Sequence, residues 1–127
     1  MIIINPHELS CGLIFYIEKE KDAVNISTGF EAGRLTLYLS GELDHHEAKK
    51  AMQTIEELLV EYMPRDCALN MAELSFMDSS GIAIIIKVSR RMRTMGGRTW
   101  IENPARQPQR VIDASGIDRL VPVAISR

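Results

Sequence analysis

From residue 34 to the C-terminus, short apolar runs alternate with longer amphipathic segments, and this order leaves few folds open. The runs at 35–39, 67–71, 99–101 and 120–125 have strand length. Between them, apolar residues return every three or four positions, the period of a helix with one buried face. A β-α-β-α-β-α-β order requires parallel strands joined by crossover helices. One more strand precedes the series: Val24, Ile26, Thr28 and Phe30 alternate with smaller or polar residues, and Glu31, Ala32 and Gly33 make a turn before Leu35. So short a turn makes this pair antiparallel. The expected fold is α/β, with a mixed, mostly parallel sheet of four to five strands and crossover helices.

Punctuation places the helices. Asp44 can cap the first, Glu47 three residues later completes a capping-box pattern, and Pro64 ends it. Ala48, Met52, Ile55, Leu59 and Met63 mark its buried side. The second helix follows Ser79, with Ile82, Ile85, Ile86, Ser89, Met92 and Met95 turned inward and Gly96-Gly97 as its stop. Lys87, Arg90, Arg91 and Arg93 complement the negative pole of that helix, or form a face for a partner. Trp100, on a strand, reads as core. The third helix is expected over 109–114. It starts near Pro108, because proline fits the first helical position but not one turn inside. Ser115-Gly116 closes it.

Composition narrows the function. Lys plus Arg number 15 and Asp plus Glu 17, a net charge of -2. No basic stripe is present to neutralise phosphates, so no nucleic-acid partner is expected. No apolar run reaches the roughly 18 residues of a membrane span. Ile2-Ile3-Ile4 has no basic flank before it and is broken by Asn5-Pro6, unlike a secretory signal. Cys11 and Cys67 form no CxxC, which argues against a disulfide scaffold or a structural zinc site. With no P-loop and no G-x-G-x-x-G, nothing calls for a nucleotide cofactor. The expectation is a cytoplasmic protein with no cofactor, no metal and no membrane partner.

The chemistry gathers in two polar segments at the carboxyl ends of parallel strands, where sites form in such folds. These are Ser40-Gly41-Glu42-Leu43-Asp44-His45-His46 and Ser75-Phe76-Met77-Asp78-Ser79-Ser80-Gly81, read as loops that meet if their strands are neighbours. Asp78 and Ser79 suit a helix N-cap, since their oxygens accept orphan amide protons. The same amides, with the helix dipole, would accommodate a phosphate on Ser79, and Gly81 removes one Cβ from the approach. A nucleophilic role for Ser79 lacks the G-x-S-x-G elbow and has only His45 or His46 as a base. A metal site on His45-His46 is disfavoured, because neighbours at a helix start point roughly 100° apart. On the residues alone, a catalytic role for Ser79 is disfavoured.

Three segments carry a resemblance. Leu74-Ser75-Phe76-Met77-Asp78-Ser79-Ser80-Gly81 resembles the signature of anti-sigma factor antagonists, the STAS-domain family. Leu39-Ser40-Gly41-Glu42-Leu43-Asp44-His45-His46 resembles a second motif of that family, and Asp113-Ala114-Ser115-Gly116-Ile117 a third, in the same order. The likeness covers residues 24–123 and is nearest the sporulation type. It implies a STAS-like sheet and a partner switch. In that switch the unphosphorylated protein binds an anti-sigma factor that is also a serine kinase, which frees the sigma factor. Phosphorylation of Ser79 ends the binding, and a serine phosphatase restores it. The resemblance implies partner contacts from Glu42, Asp44, His45, Met77, Asp78, Ser80 and Gly81, and it leaves room for a homodimer. Charge bookkeeping at Ser79 leads one to expect that the phosphorylated form folds but no longer docks on an acidic partner surface. A different class of role would be a non-switching STAS module in a transport or stress-signalling complex, and a third an esterase. The domain is expected over 23–127. Residues 1–22 form an extension whose Ile2, Ile3, Ile4, Leu13, Ile14, Phe15 and Ile17 should dock on the domain or on a second copy.

Overall fold

Two residues with positive φ, Ala32 at 53° and Gly33 at 82°, reverse the chain between the first two long strands. Both lie in the left-handed region that a two-residue hairpin needs, so these strands pair antiparallel, Glu31 opposite Arg34. In a computed structural model, which describes residues 2–4 and 23–125, they belong to one six-stranded sheet. Its strands are β1 (Ile2–Ile4), β2 (Asn25–Glu31), β3 (Arg34–Leu43), β4 (Asp66–Met77), β5 (Arg98–Glu102) and β6 (Val123–Ala124), in that spatial order. Every neighbouring pair other than β2–β3 is parallel. The mixed, mostly parallel sheet expected from the sequence is thus present in β2 to β6. β1, made of the isoleucine run, adds a strand beside β2. Leu13, Ile14, Phe15 and Ile17, expected to dock on the domain or on a second copy, fall within 5–22, outside the described residues.

Helices α1 (His45–Tyr62), α2 (Ser79–Thr94) and α3 (Arg106–Ser115) make the crossovers. Strand alternation sends Leu35, Leu37 and Leu39 of β3, and Cys67, Leu69 and Met71 of β4, into a core shared with Ile55 and Leu59 of α1 and Ile85 and Val88 of α2. All are at most 1% exposed. Burial pushes the Cys67 thiol up to about 12, so it stays neutral and unreactive at ordinary pH. The alternate side chains point to the opposite face. There Tyr38 is 46% exposed, and Trp100, read from the sequence as core, is half-buried.

Several boundaries differ from the sequence reading, each for a local reason. Ser40–Leu43 and Ser75–Met77 are not loops. They are the ends of β3 and β4, paired through Glu42 with Phe76 and Leu43 with Met77. Register shifts between Tyr38 and Ser40 and between Gly41 and Glu42 interrupt the period-two pattern, which hid the strand. Gly41 sits at the irregularity with φ 88°, and a Cβ there would run into the Ala23 carbonyl oxygen. No other residue meets both demands. Met63 is 70% exposed because it adopts the left-handed C-terminal position of α1 rather than continuing its inner face. The deepest residues of α2 are Ile84, Ile85, Val88 and Met92, with Ile82, Ile86 and Met95 at the flank and Ser89 half-buried. Helix α3 begins at Arg106 and takes Pro108 at its third position. The first four N–H groups of a helix lack an internal partner, so a proline there breaks no bond. Of the last apolar run, 120–125, only Val123–Ala124 form a strand, β6; a 3₁₀ turn, Ile117–Arg119, precedes the run, and Leu120 is 69% exposed.

Candidate functional site: two helix starts on one carboxylate

Parallel pairing of β3 and β4 brings their carboxyl ends side by side, so α1 and α2 begin next to each other. The two polar segments therefore meet, and Asp78 is the joint. Its Oδ1 accepts the N–H of Ser80, 2.8 Å away, capping its own helix α2. Its Oδ2 accepts the N–H of His45, the first residue of α1, at 3.0 Å. The Asp78 N–H donates to the Leu43 carbonyl at 3.3 Å. Asp44 caps α1 in the expected way, with Oδ1 accepting the Glu47 N–H at 3.0 Å. The Ser75 hydroxyl donates to the Gly41 carbonyl at 2.9 Å and fastens the strand ends together.

Ser79 is the first residue of α2, and its side chain is exposed. Around it lie the half-buried Glu42, Asp44, Asp78 and Ser80 and the exposed His45. Met77 and Gly81 take a different place from the other candidates. Met77 is 0% exposed and Gly81 is buried, so they shape the edge from beneath. A Cβ on Gly81 would collide with the Met77 side chain, which explains the glycine one turn into a helix. The rings of His45 and His46 are 6.2 Å apart and edge-on, both exposed. Among the described residues, no group of three or more His, Cys, Asp or Glu side chains is placed to hold a metal ion. Beside the edge, α1 and α2 leave a groove of about 480 Å³ with Ser80 at its rim, Met52 and Ile84 lining it, and Lys49 and Lys87 along it.

Gln107 is a contributor that the sequence did not disclose. β5 ends at Glu102, opposite Asn70, so among the described residues the last part of β4 has no strand on that side. The Gln107 side chain fills in. Its Oε1 accepts the Met77 N–H at 2.7 Å and its Nε2 donates to the Met77 carbonyl at 2.9 Å. A side-chain amide thus takes the place of a strand backbone immediately before Asp78 and Ser79. A glutamine in the first turn of a helix carries no local mark of such a role. Gln107→Ala is expected to cost about 1–2 kcal/mol in denaturant unfolding and to speed amide exchange at Met77. Unchanged exchange there would show that the bridge does not hold the strand end.

A STAS domain model matches residues 14–126. The chain belongs to the STAS domain family. Over 91 residues it is 30% identical to an anti-sigma F factor antagonist of Paenibacillus polymyxa, covering 72% of this chain and 78% of that protein. It is 31% identical over 83 residues to an anti-sigma F factor antagonist of Lysinibacillus sphaericus, covering 65% and 71%. Among solved STAS structures, the anti-sigma factor antagonist SpoIIAA in its unphosphorylated form superposes with a TM-score of 0.69 at 25% identity, covering 80% of this chain and 88% of SpoIIAA. The phosphorylated form of SpoIIAA, from Bacillus, gives 0.62 at 25% identity, with 80% and 91% covered. No helix among the described residues of this STAS protein is long and apolar enough to cross a membrane.

Proposed function

We propose that this chain is an anti-sigma factor antagonist that works as a phosphorylation switch at Ser79. In its unmodified form it binds an anti-sigma factor that is also a serine kinase, and so releases the sigma factor. The kinase supplies ATP and modifies Ser79, and a serine phosphatase removes the phosphate. Such a role belongs to the cytoplasm and asks no catalysis of the chain itself. The observation that carries the reading is the setting of Ser79. Its side chain is exposed on the first turn of α2, beside an Asp78 fixed by two backbone donors. The names of the relatives, and the existence of SpoIIAA in two phosphorylation states, support it. We place the binding unit in residues 23–127, with 1–22 as an extension docked on it or on a second copy.

The geometry suits a switch that spares the fold. A phosphate adds about -1.5 to -2 charge at a helix N-terminus, where the dipole returns some 0.3–1 kcal/mol. Mass spectrometry of the protein purified from its own cells across growth is expected to find phosphate on Ser79 in part of the population. Phosphate only elsewhere, or none at any stage, would overturn the switch.

His45 offers a second test. Its backbone N–H holds Asp78 while its ring is exposed, so the side chain is free for a partner. His45→Ala is expected to weaken binding of the anti-sigma factor and to leave stability within about 1 kcal/mol, as for an ordinary surface change. A large stability loss with unchanged affinity would make the ring structural instead.

A further inference from the structure

The far end of α2 forms a second concave site. Arg93 lies about 20 Å along the helix axis from Ser79, at roughly 1.5 Å per residue. Here α2, β5 and the segment leading into β6 enclose a groove of about 470 Å³. That is within the range of small-ligand sites, roughly 300–1,000 Å³. The groove is separate from the edge that carries the proposed switch.

Its floor is a strand edge open on one side. Thr99 and Trp100 pair with β4, but β6 first pairs with β5 at Ile101, so among the described residues no strand lies beside them on the β6 side. The N–H groups of Ile101 and Asn103 donate to the carbonyls of Pro122 at 2.8 Å and Ala124 at 2.9 Å. Strand periodicity turns the Thr99 backbone to that same side, where Pro122 has no N–H to offer. Thr99 is only 7% exposed, yet its Oγ1 has no hydrogen-bond partner among the described residues. Buried hydroxyls nearly always find a partner, so one left open at the floor of a groove points to what the groove receives.

The walls state the chemistry. Arg93 of α2 and Arg98 of β5 line the groove, and among the described residues no carboxylate does. The carboxyl end of α2 brings a partial negative charge, about half a unit, which two guanidiniums outweigh. Trp100 is held from the far face of β5. The Trp100 Nε1 donates to Glu102 Oε2 at 3.1 Å, and the Arg34 guanidinium stands 5.9 Å from the centre of its ring. Leu120, 69% exposed, and Pro122 complete an apolar lip.

We infer that this groove binds a small amphiphilic anion. Its carboxylate or phosphate head would lie with Arg93 and the Thr99 hydroxyl on the helix side of the open β5 edge, with Arg98 at the rim, and its apolar body along Leu120 and Pro122 over that edge towards Trp100. Trp100 is the chain's single tryptophan, so its emission reports the site directly. The full chain is titrated with decanoate and with decyl phosphate, below micelle formation, against decanol and decyltrimethylammonium. A saturable change in emission is expected with one or both anions, and which of them binds fixes the head group. The alcohol and the cation are expected to bind at least tenfold more weakly. Arg93→Ala with Arg98→Ala is expected to lower anion affinity at least tenfold without moving the thermal midpoint. Thr99→Val, close in shape, is expected to lower it severalfold, and it serves as the test if the double variant melts early. No saturation with either anion would overturn the inference. So would equal affinity for the alcohol, or anion binding unchanged in both variants.

Discussion

Ser79→Asp is expected to lower affinity for the anti-sigma partner by roughly thirtyfold to several thousandfold, while Ser79→Ala binds like the unmodified chain. The range follows from the cost of an unpaired charge at a docked surface, about 2–5 kcal/mol. Each 1.4 kcal/mol is about a factor of ten. The fold is expected to tolerate both changes, because the position is exposed and a negative group near a helix N-terminus is mildly stabilising. Thermal melts should agree within a few degrees, so that calorimetric titration compares binding alone. Equal affinities for the two variants, with the fold intact, would remove Ser79 from the switch whatever partner is used.

The sheet and its crossovers were legible because burial on one side writes itself as periodicity. Leu35, Leu37 and Leu39 show the two-residue period, and Ile55 and Leu59 the helical one. The meeting of the two polar segments was legible too, since parallel strands deliver their carboxyl ends to one edge. What lies beyond the helix-covered core was not. Ser40–Leu43 and Ser75–Met77 stay in the ladder through backbone bonds, to which side-chain hydrophobicity is blind, and a shift in register erases the alternation. The bond between Asp78 and His45 spans 33 positions, and that between Gln107 and Met77 spans 30. No local pattern announces a pairing over such distances. The cap roles of Asp44 and Asp78 were visible as residue types, but the second oxygen of Asp78 was not, because its partner belongs to the other helix. Trp100 shows the converse. An aromatic residue on a strand fits a core, and only the position of β5, whose pairing with β6 starts after Trp100, and the direction of the side chain, away from the helix-covered face, leave it half open.

That second oxygen sets the largest stability effect we expect. Asp78→Ala removes the cap of α2, worth about 0.5–2 kcal/mol. It also removes the charge-assisted bond to the first N–H of α1, worth about 1.5 kcal/mol because this end is partly open to water. The sum, about 2–3.5 kcal/mol, corresponds to a fall in the thermal midpoint on the order of 10 °C. Asp78→Asn separates the two contributions. An amide keeps one accepting oxygen and puts a donor where the other stood, so it can serve Ser80 or His45 but not both. Its loss should fall between those of the wild type and the alanine variant, with faster amide exchange at whichever helix start it abandons. A loss below about 1 kcal/mol for Asp78→Ala would mean that water replaces the carboxylate at both helix ends. In that case Ser79 would not owe its position to the residue before it. A full loss, measured alongside weaker partner binding at temperatures well below the melt, would tie the two together. The carboxylate that joins the helices would then also hold Ser79 where a partner can reach it.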